Sequence, residues 1–135
     1  VTLAGTVRTL LPETRDFAQK RLKEVAEATA IAHGATAEVV YNRGYPVTFN
    51  HDNETDFAVG IASKVAGQGK VDANAAPHMG AEDFSYMLEQ RPGAFIFLGN
   101  GDTANLHNAA YDFNDEAIPY GVSYWVSLAE TALAA

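Results

Sequence analysis

The 135 residues are enough for one ordinary domain or two small ones, and 47% of them are apolar, as in soluble globular proteins. Nine Lys and Arg residues against 17 Asp and Glu residues leave a net charge of −8, so the chain lacks the basic surface of a nucleic-acid-binding protein. The sequence has no Cys, no signal-like start and no apolar run near the roughly 20 residues of a membrane span. The absence of Cys leaves the redox compartment undecided. We expect no nucleic-acid partner and no membrane partner, and our expectation for the location is cytoplasmic.

The first part of the chain predicts a strand, a helix and a second strand. Residues 2–10 and 36–43 alternate apolar and polar side chains, which is typical of strands buried on one side. Residues 11–34 predict the longest helix, because Pro12 suits its first position and Gly34 suits its C-terminal cap. Its apolar residues recur at the helical period and predict a buried stripe: Ala18, Leu22, Val25, Ala26, Thr29 and Ala32.

Residues 44–53 break these patterns, and we place a domain junction there. Residues 53–69 predict a second amphipathic helix, with Asn53 as its N-cap and Gly67 as its stop. The side chains that we expect it to bury lie on one face: Phe57, Ala58, Ile61, Ala62 and Val65.

Two helices and a strand are predicted in the rest of the chain. Residues 80–93 predict a short helix, and residues 118–135 predict a terminal helix with Pro119 near its first turn. Between them, residues 93–99 (GAFIFLG) form an apolar run of the kind found in strands buried on both faces of an α/β sheet. The side chains that we expect the two helices to bury are Phe84, Met87 and Leu88 in the first, and Val122, Trp125, Val126, Ala129 and Leu133 in the second.

His107 is one of four His residues and lies in a polar loop behind the strand at 93–99. A neutral imidazole near the carboxyl end of a sheet strand is a competent ligand for a divalent metal. Asp112, Asp115 and Glu116 are candidates to fix its tautomer. The competing interpretation is a loop His bonded to a neighbouring carbonyl. Zinc sites need three or four protein ligands and the chain has no HxH or HExxH pair, so the pattern alone leaves both open.

Two other positions carry a functional interpretation beside an ordinary one. Gly80 precedes a helix whose first turn holds Glu82 and Asp83, and acidic residues simply favour a helix N-terminus. A glycine there would also let backbone N–H groups approach an anionic substrate group. Arg8, on a predicted strand, is either an ordinary surface residue or a residue that binds a carboxylate through two parallel hydrogen bonds.

Five segments occur together in this chain: GTVRT, NRGYP, MGAEDF, PGAFIFLGNG and LHNAAYDFNDEAIPYGV. In this order they resemble the C-terminal part of a family of dinuclear metal amidohydrolases. That family contains hippurate hydrolases, N-acyl-amino-acid aminohydrolases and auxin-conjugate hydrolases, and it is related to the aminoacylase and carboxypeptidase G metallopeptidases. The resemblance covers nearly the whole chain. Its last segment is highly specific, MGAEDF is moderately specific, and GTVRT is weak by itself.

The resemblance implies an α/β plus α+β architecture. In it, a metal-binding α/β catalytic domain is interrupted by a small α+β lid domain that also dimerises. Residues 1–48 would form the C-terminal half of the lid, and residues 49–135 the C-terminal segment of the catalytic domain. The implied partners are a small-molecule N-acyl amino acid substrate and a second copy of the protein, bound through the lid region.

The resemblance also implies roles for single residues. His107 matches the last metal ligand, Arg8 matches the lid arginine that contacts the substrate carboxylate, and Gly80 matches the loop that lies against the substrate. Glu82 and Asp83 would lie behind these contacts without touching substrate.

The implied cofactors are two divalent metal ions, zinc, manganese or similar, which activate the attacking water while a glutamate carries its proton. The family's other metal ligands, that glutamate and a lid histidine match nothing in this sequence. We therefore expect an enzyme fragment that has no catalytic residue of its own, is inactive alone and binds no metal tightly. The chain also departs from the family at Ala81, where a Gly is usual, and at Asn108, where a Ser is usual. The alternative hypothesis is a non-catalytic α+β binding or dimerisation module, in which the same motifs serve only packing and capping.

Overall fold

The computed structural model describes residues 1–134, and this part of the chain forms four helices. All four helices predicted from the sequence are confirmed, with ends that differ from the predicted ones. None of the helices within residues 1–134 is both long enough and apolar enough to cross a membrane. Their bounds are α1, Pro12–Ala32; α2, Asp52–Ala66; α3, Phe84–Gln90; and α4, Ala117–Ala132.

The segments predicted as strands are not paired in this structure. Residues 2–10, 36–43 and 93–99 carry no strand assignment, and neither does any other described residue. The three strand predictions are therefore wrong for residues 1–134. A strand forms only through a ladder of hydrogen bonds to a neighbour, and alternation within one segment supplies no neighbour. The backbone of Phe95 pairs instead with the side chain of Asn50, whose Nδ2 donates to the Phe95 carbonyl and whose Oδ1 accepts from the Phe95 N–H, both at 2.8 Å.

The chain divides into two compact units. The first unit contains Val1–Phe49 and Pro77–Gln90, and the second contains Asn50–Ala76 and the chain from Arg91 onward. The sequence patterns did not predict that residues 77–90 belong to the first unit. The assignment of residues 1–48 and 49–135 to a lid and a catalytic domain stays a prediction.

In the first unit, α1 begins and ends at the residues that the sequence indicates. Pro12 lies in its first turn, and the chain leaves the helix at Gly34, whose φ of +67° favours glycine. No residue of α1 is buried, however, and Leu22 and Val25 are 44% and 50% exposed. The predicted apolar stripe is therefore not a buried face of this unit.

Two arginines fasten the segment after α1 to the side of that helix. Arg15 donates from Nη2 to the Gly44 carbonyl at 2.7 Å. Arg43 donates from Nε to Gln19 Oε1 at 2.7 Å and also pairs with the Asp16 carboxylate. These contacts are exposed, so each stabilises the unit by no more than about 1 kcal/mol.

The other helix of the first unit, α3, is shorter than predicted. The Ser85 N–H and hydroxyl both donate to the Glu82 carbonyl, at 3.2 and 2.6 Å, so a turn at 82–83 replaces the first part of the predicted helix. Leu88 is 5% exposed, as expected for a side chain that faces inward. Met87 is 63% exposed, so the prediction that it faces inward is wrong.

The second unit has its core between α2 and α4. Ala58 and Ile61 of α2 are buried, and so are Ala117 and Tyr124 of α4. The sequence placed Ala58 and Ile61 correctly, whereas Phe57 is 38% exposed. The predicted N-cap Asn53 is also wrong. The N-cap is His51, two residues earlier, and its carbonyl accepts from the Thr55 N–H at 2.9 Å and the Thr55 hydroxyl at 2.8 Å. The predicted stop at Gly67 is confirmed.

The buried face of α4 is not the predicted one. Its buried and half-buried residues lie on a different face of the helix: Ala117, Gly121, Tyr124, Ser127 and Leu128. Gly121 lets this face pack closely, since a Cβ built on it would lie only 3.4 Å from Leu98 Cδ2. A choice based on the largest apolar residues therefore selects the wrong face. The predicted residues are all exposed in this structure: Val122, Trp125, Val126, Ala129 and Leu133.

Burial of Tyr124 predicts a specific alkaline sensitivity. Desolvation raises the pKa of the Tyr124 phenol above its ordinary value of 10.0. Above about pH 10 the unfolded state therefore loses this proton before the folded state does, and the free energy of unfolding falls as the pH rises. Below that pH the group contributes no pH dependence. Tyr124→Phe keeps the ring but removes the phenol, so we expect its melting temperature to fall less steeply than that of the unsubstituted chain between about pH 9.5 and 11.

Thermal melts followed by circular dichroism measure this difference. Tyr120→Phe is the matched control because the Tyr120 side chain is 46% exposed. Equal slopes for the Tyr124→Phe and Tyr120→Phe variants would contradict the prediction.

Candidate functional site

His107 lies in a loop that is closed by hydrogen bonds between its two ends. Asn100 Nδ2 donates to the Asp112 carbonyl at 2.8 Å, and Asn100 Oδ1 accepts from the Asn114 N–H at 2.8 Å. We call these two bonds the Asn100 clamp, and residues 101–113 the His107 loop. The Asp112 N–H also donates to Thr103 Oγ1 at 3.3 Å, so both backbone groups of Asp112 are held from the other side of the loop.

The backbone of His107 adopts an unusual conformation. Its φ of +63° makes it the one residue other than glycine with a positive φ among residues 1–134. This left-handed conformation costs roughly 1–2 kcal/mol for a residue with a Cβ, and such outliers concentrate at functional sites. A turn follows directly, because the Tyr111 N–H donates to the Asn108 carbonyl at 3.0 Å.

The imidazole of His107 is exposed and makes no hydrogen bond within the described part of the chain. The tautomer-fixing contact considered for Asp112, Asp115 and Glu116 is not formed between described residues. Asp112 and Asp115 instead line an open polar cavity of about 420 Å³, and His107 does not. The full lining of this cavity is Asn100, Asp102, Thr103, Asp112, Phe113, Asn114 and Asp115.

A metal-dependent site would need several ligands close together. Within residues 1–134, no group of three or more His, Asp or Glu side chains is placed to hold a metal ion. An exposed imidazole whose nitrogens are not engaged by the protein nevertheless suits one position in a zinc or manganese site. The described residues therefore fit part of a metal site through His107, and not a complete one.

The other candidate residues lie in the first unit, whereas His107 lies in the second. Arg8 is exposed and has no ion-pair partner among the described residues. A Cβ built on Gly80 would meet nothing within 4 Å, so the described chain itself leaves the space next to this backbone open. Glu82 and Asp83 form the turn before α3 through their carbonyls, which accept from the N–H groups of the helix. A common site for Gly80 and His107 stays a prediction.

Sequence reasoning missed Asn100. It lies between two glycines in the GNG segment, which looks like an ordinary polar turn. The φ of Gly101 is +83°, and a Cβ added there would lie 3.4 Å from Asn114 Nδ2. Gly101 therefore makes the tight corner at which the ends of the loop come together. The available signal was an Asn directly before a glycine, a few residues before the motif that contains His107.

Comparison with curated proteins finds relatives along nearly the whole chain. The chain is 33% identical over 128 residues to a hippurate hydrolase of Campylobacter jejuni, and the match covers 95% of this chain and 33% of that protein. It is 36% identical over 125 residues to an N-acetyldiaminopimelate deacetylase of Enterococcus faecalis, covering 90% of this chain and 32% of the relative. It is 33% identical over 137 residues to the IAA-amino acid hydrolase ILR1-like 2 of Arabidopsis thaliana, covering 96% and 30%. The chain thus spans about a third of the length of these relatives.

No solved structure gives a significant match. The family model described as peptidase family M20/M25/M40 matches residues 5–131. The match includes Arg8, Gly80 and His107, the residues to which the motifs assign roles. The resemblance stated from the motifs is confirmed, and the chain belongs to peptidase family M20/M25/M40.

Proposed function

We propose that this chain is part of a metal-dependent amidohydrolase that cleaves the amide bond of N-acyl amino acids such as hippurate. Family membership supports the amidohydrolase class. The substrate class is supported by the relatives' names, since hippurate and N-acetyldiaminopimelate both carry an acyl group on an amino-acid nitrogen. The observation that carries the proposal is the environment of His107, which matches the metal ligand of the motif. Its imidazole is exposed and makes no hydrogen bond within the described residues, its φ is positive, and its loop is closed by the Asn100 clamp.

Each candidate residue has a separate role in this proposal. His107 would hold a metal through an imidazole nitrogen, and Arg8 would bind the substrate carboxylate in a charge-assisted pair. The backbone at Gly80 would lie against the substrate, with Glu82 and Asp83 behind it. Two divalent ions, zinc, manganese or similar, would polarise the amide carbonyl and lower the pKa of a bound water. The remaining ligands and the general base would have to come from outside the described residues.

We also propose the domain arrangement that the motifs imply. Residues 1–48 would complete a lid that joins two copies of a cytoplasmic protein, and residues 49–135 would complete its α/β catalytic domain. The 135-residue chain alone would be inactive and would hold no metal tightly, because one imidazole leaves most of the coordination to water.

Hydrolysis of N-acyl amino acids by the complete protein tests the proposal. We expect release of the amino acid from hippurate or N-acetyl amino acids, loss of that activity after treatment with a chelator, and recovery on addition of Zn²⁺ or Mn²⁺. Failure to cleave any N-acyl amino acid in the metal-loaded state would favour the non-catalytic binding or dimerisation module. Hydrolysis that survives complete metal removal would reject the metal-dependent mechanism.

Substitution of Arg8 tests the substrate clamp separately. A lost charge-assisted hydrogen bond to the substrate carboxylate is worth about 1.5–3 kcal/mol, so Arg8→Ala should raise KM about 10- to 100-fold for N-acyl amino acids. The same variant should leave KM unchanged for N-acyl amino acid amides, which lack that carboxylate. Arg21→Ala is the matched control, because Arg21 pairs with Glu24 on the surface of α1. An equal effect on both substrate classes would show that Arg8 does not bind the carboxylate.

A further inference from the structure

The His107 loop is held by hydrogen bonds rather than by burial. Within residues 101–113, only Thr103, Ala104 and Tyr111 are half-buried, and the other residues are exposed. A loop without buried apolar side chains has little packing to hold it in one conformation. Its conformation therefore depends on the few polar contacts that join its ends.

The Asn100 clamp is the strongest of those contacts. Both functional groups of one amide side chain are used, each at 2.8 Å, and they hold backbone groups of Asp112 and Asn114. The Thr103 contact, at 3.3 Å, is longer. The Asn108 side chain accepts from the N–H of Ala110, two residues away, at 2.9 Å, and so does not join the ends of the loop. The clamp is therefore the contact that fixes the far end of the loop against its beginning.

His107 depends on this closure more than its neighbours do. A left-handed backbone is unfavourable for a residue with a Cβ and persists only where the surrounding structure imposes it. In an open loop, residue 107 would return to ordinary backbone angles, and its Cα–Cβ bond would point in another direction. A metal ligand must be held within about 0.5 Å and 10–20° of its working geometry.

From these observations we propose that Asn100 is a positioning residue for His107. It closes the loop and so keeps the imidazole in the direction needed to bind a metal. The inference rests on the proposed function, in which His107 is a metal ligand. In this role Asn100 would act on the metal site through the loop backbone, by its bonds to Asp112 and Asn114.

The chain offers a matched control in Asn50. Its side chain makes the same pair of bonds, donating from Nδ2 and accepting at Oδ1, with Phe95 at the same distances of 2.8 Å. Both residues belong to the second unit. Asn50→Ala and Asn100→Ala therefore remove the same number and type of hydrogen bonds, but only Asn100→Ala opens the His107 loop.

Amide hydrogen exchange on the metal-free complete protein gives the first readout. In Asn100→Ala we expect the N–H groups of Tyr111, Asp112 and Asn114 to exchange about tenfold faster, with exchange in α2 unchanged. Asn50→Ala should leave the exchange of these three groups unchanged. Unchanged exchange of the loop in Asn100→Ala would overturn the proposal.

Zinc affinity, measured by competition with a chelating dye, gives the second readout. Partners that orient a ligand typically account for 10- to 100-fold in metal affinity, so Asn100→Ala should weaken Zn²⁺ binding by about that factor. Asn50→Ala should bind Zn²⁺ within about twofold of the unsubstituted protein. An equal loss in both variants would show a general effect of stability and would overturn the positioning role.

His107→Ala in the same titration separates the two hypotheses. If it weakens Zn²⁺ binding while Asn100→Ala does not, only the positioning role is rejected. If His107→Ala binds Zn²⁺ like the unsubstituted protein, His107 is not a ligand, and the ligand assignment and the positioning role both fail. The exchange data would in that case still report whether Asn100 closes the loop.

Discussion

Replacing His107 with Ala in the complete protein is expected to weaken Zn²⁺ binding at least about 100-fold and to abolish hydrolysis of N-acyl amino acids. Zinc sites in proteins use three or four protein ligands. When one ligand is lost, water takes its place on the metal and binds it less tightly. The left-handed backbone supports the expectation, because residues held in such conformations cluster at functional sites. Metal content after gel filtration and the rate of hippurate cleavage measure the two effects.

His33→Ala is the appropriate control for this experiment. It makes the same change of side chain at an exposed position, the C-cap of α1, and should leave metal content and rate unchanged. Retention of full metal content by the His107→Ala variant would exclude His107 as a ligand. Equal losses in both variants would point to damage to the fold instead.

Replacing Ile61 with Ala is expected to destabilise the 135-residue chain by about 2–5 kcal/mol. Ile61 is 2% exposed and lies in the small core between α2 and α4. Truncation removes buried methyl and methylene groups and leaves a cavity that helices on both sides can fill only in part. Because small domains have total stabilities of about 5–15 kcal/mol, a loss of this size approaches complete unfolding.

Urea denaturation followed by helical circular dichroism measures the change. Val126→Ala is the control on the facing helix, because Val126 is 50% exposed and its truncation should cost less than about 0.5 kcal/mol. Similar losses for the two variants would show that the core does not lie where the structure places it.

The positions of the helices could be predicted because they depend on local backbone chemistry. Pro12 is restricted to angles that suit a first turn, and Gly34 and Gly67 accept the positive φ that ends a helix at little cost. These preferences act within a few residues of their own position. The sequence therefore indicates where α1 begins and where α1 and α2 end, whatever packs against them.

The buried faces could be predicted only in part, because burial depends on the shape of the neighbour. Ala58 and Ile61 were identified from their period, but the buried face of α4 was not. Ala117 and Gly121 lie on its buried side, and the lack of a side chain at Gly121 lets Leu98 come close. Hydrophobicity alone predicts that Trp125 is more buried than Gly121. Close packing of two elements favours burial of the smaller residue, and Gly121 is the more buried of the two.

The family of this protein and the residue types of its candidate site follow from the order of its amino acids. The motif containing His107 and the match over residues 5–131 depend only on residue identity and order. Tertiary structure alone decided that the His107 loop is closed by Asn100 and that His107 has a positive φ. The clamp joins residues that are 12 and 14 positions apart, so no local preference specifies it. Strand pairing is decided in the same way, because each ladder hydrogen bond needs a partner that lies elsewhere in the chain.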